Sequence, residues 1–176
     1  MIIAGLQKTT LLDYPSHVAA TIFLGGCNFR CPFCHNMNIV DYNSLENRTN
    51  MKDLVNERDF YSKEDIFDFL KKRASVLEGI CITGGEPTIN SDLKEFIIEI
   101  REVVKQVSNA DRFLIKLDTN GSNPKLLKSL IDDGLIDYVA MDIKSSREKY
   151  LAAAGVTGEI IDNICESINI LIHSNI

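Results

Sequence analysis

The feature that most constrains the fold of this chain is a regular alternation of short apolar runs with amphipathic segments. Four apolar runs of strand length begin near Val18, Gly79, Phe113 and Tyr138, and a segment with helical periodicity follows each of them, directly or after a loop. Strands that alternate with helices pair in parallel, with the helices as crossover connections. We therefore expect an α/β fold with a parallel sheet, and a short extra helix around residues 51–55.

Unusual residues are concentrated directly after the four apolar runs. They are the cysteine segment Cys27–Cys34, the turn Gly84–Pro87, the segment Asp118–Gly121 and the segment Asp142–Lys144. The carboxyl ends of parallel strands lie at one edge of a sheet, where the active sites of α/β proteins assemble. The sequence thus predicts that four separate motifs form one site.

The cysteine segment places three thiols at Cys27, Cys31 and Cys34, within eight residues. A loop of this length can surround a compact metal centre, and thiolates are the ligands of iron–sulfur clusters. Structural zinc usually takes four ligands, commonly as two separated pairs, and His35 is poorly placed to be a fourth ligand beside Cys34. An iron–sulfur cluster with one iron free of protein ligands is favoured, and a structural zinc site is the alternative.

Composition narrows the class of protein. The 176 residues carry a formal net charge of −6, which does not favour binding to nucleic acid. The apolar runs are too short to span a membrane, and the first residues do not have the pattern of a secretory signal. Five cysteines, three of them clustered, indicate metal ligands in a reducing cytoplasm and not a disulfide framework. We expect Cys81 and Cys165, which lie in apolar stretches, to be small buried hydrophobic residues.

These motifs resemble a known family. Cys-x3-Cys-x2-Cys after a first strand is the signature of the radical S-adenosylmethionine (radical SAM) superfamily. The wider runs Thr10–Pro15 and Phe23–Asn36 are similar to the activating proteins of anaerobic ribonucleoside-triphosphate reductase and, more distantly, to those of pyruvate formate-lyase. The resemblance covers nearly the whole chain, so we expect a single radical SAM domain over residues 1–176. Relatives continue beyond the fourth strand–helix unit, so the resemblance implies a partial (β/α) barrel that is shortened here.

The resemblance implies a specific chemistry. In that family, three cysteines hold a [4Fe–4S] cluster and S-adenosylmethionine binds the open iron. One electron cleaves the cosubstrate to methionine and a 5′-deoxyadenosyl radical, which takes a hydrogen atom from a glycine of a partner enzyme. The implied partners are a glycyl-radical enzyme, here anaerobic ribonucleotide reductase, and a low-potential electron donor such as flavodoxin or ferredoxin. Activation of pyruvate formate-lyase, another radical SAM reaction and a non-enzymatic metal module are the alternatives.

The resemblance also assigns roles in the first two motifs. The cluster ligands are Cys27, Cys31 and Cys34. The turn that contains Gly84, Gly85 and Glu86 matches the motif that receives the amino group of the cosubstrate, and a carboxylate can accept from an ammonium group. Phe33 matches an aromatic position near the adenine, and a phenylalanine of the core is the alternative.

Four residues of the last two motifs complete the implied cofactor site. Asp118 and Thr119 lie in a segment that resembles the third-strand motif of the activating enzymes. Asp142 corresponds to a residue near the ribose or a bound monovalent cation, and Lys144 to one that binds the carboxylate of the cosubstrate. The alternatives are an Asn-Gly turn and solvated charges at the end of a strand.

Overall fold

The computed structural model describes residues 1–40, 60–107 and 113–176. In these ranges, five strands form one sheet in chain order: β1 (Ile3–Thr10), β2 (Ala19–Leu24), β3 (Gly79–Gly84), β4 (Leu114–Thr119) and β5 (Tyr138–Met141). The strands β2 to β5 are parallel, whereas β1 is antiparallel to β2. The predicted parallel sheet is therefore confirmed. The helix predicted around residues 51–55 lies outside the described residues.

Helices follow the parallel strands along the chain. They are α1 (Met37–Val40), α2 (Lys63–Arg73), α3 (Leu93–Val107), α4 (Pro124–Asp132), α5 (Tyr150–Ala154) and α6 (Ile161–Ile172). The start of α2 is a capping box, in which the side chains of Ser62 and Asp65 each accept from the other's backbone N–H. None of the helices among the described residues is long and apolar enough to cross a membrane.

The main core lies where α2, α3 and α4 pack on the sheet. Its strand residues are isoleucines and leucines, and its helix residues form the apolar stripes of the three helices. The fully buried members include Ile22, Ile80, Ile82, Ile115, Leu117, Ile66, Leu70, Phe96, Ile100 and Leu130. Complete burial of such a side chain contributes about 1.5–3 kcal/mol, so this layer is the main source of hydrophobic stabilisation.

The sequence analysis did not predict β1. Only Ile3 and Thr10 of this strand are buried, so it has none of the apolar periodicity that marks a strand. After β1, the chain carries Tyr14 to Tyr138 at the start of β5, where the two ring centroids lie 5.8 Å apart. The β1–β2 loop therefore crosses the amino ends of the parallel strands, and the opposite ends are left for the site.

Candidate functional site

A pocket of about 610 Å³ lies at the carboxyl ends of β2 to β5. All four motifs contribute to its wall, so the predicted convergence at one edge of the sheet is confirmed. Ten of the eleven candidate residues line it: Cys27, Cys31, Cys34, Phe33, Gly84, Gly85, Asp118, Thr119, Asp142 and Lys144. The role of each residue stays a prediction, because geometry shows proximity and not chemistry.

The three cysteines of the motif face this one cavity. Cys31 is buried, and Cys27 and Cys34 are half-buried. Burial raises the pKa of the Cys27 thiol and of the Cys31 thiol, and the charge of Lys144 opposes the rise at Cys31. The backbone N–H of Phe29 donates to Cys27 Sγ at 3.3 Å. An N–H donor and a nearby ammonium group both stabilise sulfur in its thiolate form, which is the form that binds metal.

These residues fit an iron–sulfur cluster. Thiolates are the ligands of such clusters, and hydrogen bonds to the sulfur atoms help to set the reduction potential of the cluster. The three thiols of Cys27, Cys31 and Cys34 line the same pocket wall. Among the described residues, no group of three His, Cys, Asp or Glu side chains is arranged to hold a single metal ion, in contrast to a cluster of several irons.

The end of α5 supports the cysteine loop, which the sequence analysis did not anticipate. The backbone N–H of Arg30 donates to the carbonyl of Ala154 at 2.9 Å, and Cys31 Sγ lies 3.6 Å from the same oxygen. Gly155 ends α5 with a φ of +64°, and a Cβ at this position would overlap the carbonyl group of Arg30. A glycine directly after a helical segment is a sequence signal for the end of a helix, because glycine adopts the left-handed conformation easily. The signal does not predict which segment of the chain packs against that end.

The two glycines of the second motif permit a close approach between backbones. Gly84 has a φ of +124°, and a Cβ there would overlap the backbone of Leu24. A Cβ on Gly85 would overlap the carbonyl oxygen of Gly26. The close backbone approach predicted from the glycines is therefore present. The neighbouring backbone belongs to Leu24 in β2 and to Gly26, which directly precedes the cysteine segment.

Glu86 is the candidate residue that does not line the pocket. Its relative exposure is 1%. The carboxylate accepts from the backbone N–H and hydroxyl of Thr88, the hydroxyl of Thr119 and the backbone N–H of Asn120, at 2.5–3.0 Å. Burial raises the pKa of Glu86, and these hydrogen bonds oppose the rise. Whether this carboxylate receives the amino group of a cosubstrate stays a prediction, and in this geometry its oxygens lie below the wall and already accept from other donors.

Asp118 lines the pocket together with a lysine that the sequence analysis did not select. Lys116 Nζ donates to Asp118 Oδ1 at 2.5 Å and lies 3.6 Å from Cys81 Sγ. Burial lowers the pKa of Lys116, but the hydrogen bond and charge of Asp118 outweigh this effect and leave it raised. Cys81 is buried, as predicted, but its thiol faces charged groups, and burial raises its pKa. The sequence signal that could have pointed to Lys116 is a charged residue inside an otherwise apolar strand.

Asp142 and Lys144 form an ion pair at the rim of the pocket. Lys144 Nζ lies 2.5 Å from Asp142 Oδ2, and the two side chains are 17% and 66% exposed. Burial lowers the pKa of Lys144, and the hydrogen bond and charge of Asp142 raise it by more. The lysine is thus held charged beside the cysteines.

The exposure of two further side chains tests how the sequence analysis interpreted them. Phe33 is 54% exposed, which excludes the interpretation as a core phenylalanine and leaves the adenine contact as a prediction. Cys165 is exposed, so the prediction of a buried residue is wrong. On α6 the buried positions are Ile164 and Ser167. Cys165 is one residue past Ile164, a turn of about 100° away from the buried stripe.

Comparison with known proteins identifies the family. The family model described as the Radical SAM superfamily matches residues 21–176. The chain belongs to the radical SAM superfamily. Members of this superfamily are enzymes that use a [4Fe–4S] cluster and S-adenosylmethionine, in agreement with the cluster predicted from the cysteine motif and the cosubstrate implied by the resemblance.

The chain is also similar to curated proteins, of which two are described here. "Putative glycyl-radical enzyme activating enzyme" of Methanocaldococcus jannaschii is 37% identical over 85% of this chain and 52% of its own length. GTP 3',8-cyclase of Helicobacter pylori is 30% identical over 82% of this chain and 40% of its own length. This chain therefore spans about half, or less, of these relatives.

Among solved structures, QueE from Escherichia coli is similar to this chain with a TM-score of 0.47 and 21% identity. The match covers 69% of this chain and 52% of the QueE chain.

Proposed function

We propose that this radical SAM protein is an activating enzyme that generates a glycyl radical on a partner enzyme, and that the partner is anaerobic ribonucleoside-triphosphate reductase. The main support is the pocket that joins the three cysteines with the motifs of β3, β4 and β5. The 37% identity to a relative whose name refers to the activation of glycyl-radical enzymes points to the same class.

The residues of the pocket divide the work of binding. The thiolates of Cys27, Cys31 and Cys34 would hold the cluster, and Lys144 would bind the carboxylate of S-adenosylmethionine. When bound, the cluster and the cosubstrate supply the one-electron cleavage of a sulfonium and the removal of a hydrogen atom from a glycine of the partner. A donor such as flavodoxin or ferredoxin provides the electron, in a cytoplasm that keeps the thiols reduced.

The other pocket residues would orient the cosubstrate. Phe33, with more than half of its surface exposed, offers a face on which adenine can stack. Asp118 and Thr119 at the end of β4, and Asp142 after β5, offer oxygen atoms to the ribose, the amino group or a monovalent cation. The buried wall beneath them keeps water from the reacting atoms.

Cyclisation of GTP is the second candidate, because a GTP 3',8-cyclase is 30% identical over 82% of this chain. The relatives favour the first, because the one named for the activation of glycyl-radical enzymes is 37% identical over 85% of this chain, a higher identity than that of the cyclase.

The proposal is tested with the reconstituted protein under anaerobic conditions. The protein is mixed with S-adenosylmethionine, a reductant and the anaerobic ribonucleotide reductase of the same organism, and the glycyl-radical signal is followed by electron paramagnetic resonance (EPR). A parallel reaction contains GTP in place of the reductase, and its products are separated by chromatography. We expect a glycyl radical in the first reaction and unchanged GTP in the second.

The matched control is Cys31→Ala, which removes one cluster ligand and should give no signal in either reaction. If the wild-type protein cleaves S-adenosylmethionine and leaves the reductase without a radical, the proposed partner is wrong. A signal on pyruvate formate-lyase instead would identify the alternative partner, and conversion of GTP would identify the alternative reaction.

A further inference from the structure

Glu86 lies at the junction of two turns that flank the pocket. Its carboxylate joins Thr88, which follows β3, to Thr119 and Asn120 at the end of β4. Each oxygen accepts at least one backbone N–H, and Thr88 and Thr119 add their hydroxyl groups to Oε1. A buried polar group with all of its partners in place holds its surroundings in one arrangement.

The β4 turn continues this set of contacts to the cysteine loop. Asn120 Nδ2 donates to Asn28 Oδ1 at 2.9 Å, and Asn28 Nδ2 donates to Ser122 Oγ at 2.8 Å. The backbone N–H of Ser122 donates back to Asn120 Oδ1 at 2.9 Å. Asn28 directly follows Cys27, so a side chain next to the first cysteine is fastened to the turn that Glu86 organises.

The residue before Cys27 is held by the same glutamate. The backbone N–H of Glu86 donates to the carbonyl of Gly26 at 2.8 Å. A side chain at Gly85 would force these two backbones apart, because its Cβ would overlap the Gly26 oxygen. Both neighbours of Cys27 are therefore tied to Glu86, one through the backbone and one through Asn120.

We infer that Glu86 is a positioning residue for the cysteine loop, which it fixes through Gly26 and through Asn120 and Asn28, and that it does not contact the cosubstrate. The inference rests on the proposed role of the three cysteines as cluster ligands. Residues that orient metal ligands from behind typically change metal affinity about 10–100-fold when they are replaced. Glu86 should thus act on the retention of iron and not on the affinity for S-adenosylmethionine.

The first test is Glu86→Gln, which keeps the size of the side chain. An amide presents one oxygen and one NH2 group, and the NH2 group must face either the Asn120 N–H or the donors from Thr88 and Thr119. After anaerobic reconstitution we expect iron retention against a chelator to fall about 10-fold, with a broader EPR spectrum of the reduced cluster before any cosubstrate is added. The core variant Ile100→Val, which lies in α3, is the control for a general loss of stability and should retain iron like the wild type.

The second test breaks the contact at Asn28 and leaves Glu86 intact. Asn28 is exposed, so Asn28→Ala should fold with a melting temperature near that of the wild type. We expect weakened iron retention in this variant too. Asn169→Ala, an exposed asparagine on α6, is the matched control and should retain iron normally.

Two outcomes would overturn the inference. In the first, Glu86→Gln retains iron and keeps the EPR spectrum of the wild type, while its dissociation constant for S-adenosylmethionine rises. Glu86 would then bind the cosubstrate directly. In the second, Asn28→Ala retains iron fully, which also decides the matter if Glu86→Gln does not fold. Both measurements omit the partner enzyme, so a failure of the proposed glycyl-radical activity would leave them unaffected.

Discussion

Both faces of the parallel strands carry buried side chains, but the two faces are chemically different. On the face covered by helices, β3 and β4 place Ile82 and Leu117, which are fully buried among other aliphatic side chains. On the other face, the alternate residues Cys81 and Lys116 are also buried, at 0% and 6% exposure. Successive residues of a strand point to opposite faces, so the same strands build an apolar core and the floor of a polar pocket. Burial alone therefore does not distinguish core from site, whereas the kind of neighbour does.

This difference has an energetic meaning. The aliphatic face stabilises the fold by removing apolar surface from water. The Lys116–Asp118 pair, with side chains 8% and 32% exposed, must give up much of its hydration to form. Such a pair is weak evidence for stability, because desolvation offsets its attraction. We therefore expect substitutions on the two faces to change different measurements.

The largest expected effect is on cluster loading, at the pocket. Cys31→Ala should abolish the incorporation of about four irons per chain, because two thiolates cannot replace three. Cys81→Ala, on the pocket face but outside the motif, should load normally. Iron and sulfide analysis after anaerobic reconstitution measures both. Equal losses in the two variants would contradict the ligand assignment.

The next effect is on stability, at the face covered by helices. Ile82→Ala should lower the free energy of unfolding by about 2–5 kcal/mol, because it leaves a cavity in the core. Thr21→Val on the opposite face keeps the size of the side chain and loses the hydrogen bond from the Thr21 hydroxyl to the carboxylate of Asp13, which contributes about 1.5–3 kcal/mol because the acceptor is charged. Urea denaturation of the apoprotein gives both values. A larger loss of stability in Thr21→Val than in Ile82→Ala would contradict the distinction between the two faces.

A smaller effect is expected for the ion pair of the pocket floor. Lys116→Met and Asp118→Asn, singly and together, form a double-mutant cycle in the apoprotein. We expect a coupling energy of about 1 kcal/mol, between the values typical of exposed and buried pairs, because Asp118 is partly open to water. A coupling as large as the loss from Ile82→Ala would show that the pocket face stabilises the fold after all.

The last effect, which appears only above pH 10, concerns the loop at the amino ends of the strands. Burial, followed by the charge of Asp137, raises the pKa of Tyr14 to about 12 from its usual 10.0. A raised pKa in the folded state means that the stabilisation from the neutral phenol is present below pH 10 and is lost as the pH rises towards 12. The free energy of unfolding should therefore fall more steeply over this range in the wild type than in Tyr14→Phe. Parallel curves would show that Tyr14 is not shielded from water.

Local patterns were sufficient for much of the fold and for the composition of the pocket. The apolar runs predicted β2 to β5, and the position of each motif after a run predicted one shared site, because parallel strands end at a common edge. The same reasoning missed β1, which is mostly exposed and has no apolar period. It also placed Cys165 in the core, because a stripe read from sequence is uncertain by one residue at its border.

Three properties of this protein can be predicted from the sequence alone: the three clustered thiols, the glycines that allow backbones to touch, and the alternation that brings four motifs to one edge. These properties depend on residue type and spacing along the chain. The groups that each buried polar side chain faces, in contrast, could not be predicted without the folded chain. Glu86 became a junction between turns, and Lys116 a part of the pocket floor, because the partners of a buried side chain come from segments that are distant in sequence and meet only when the sheet is complete.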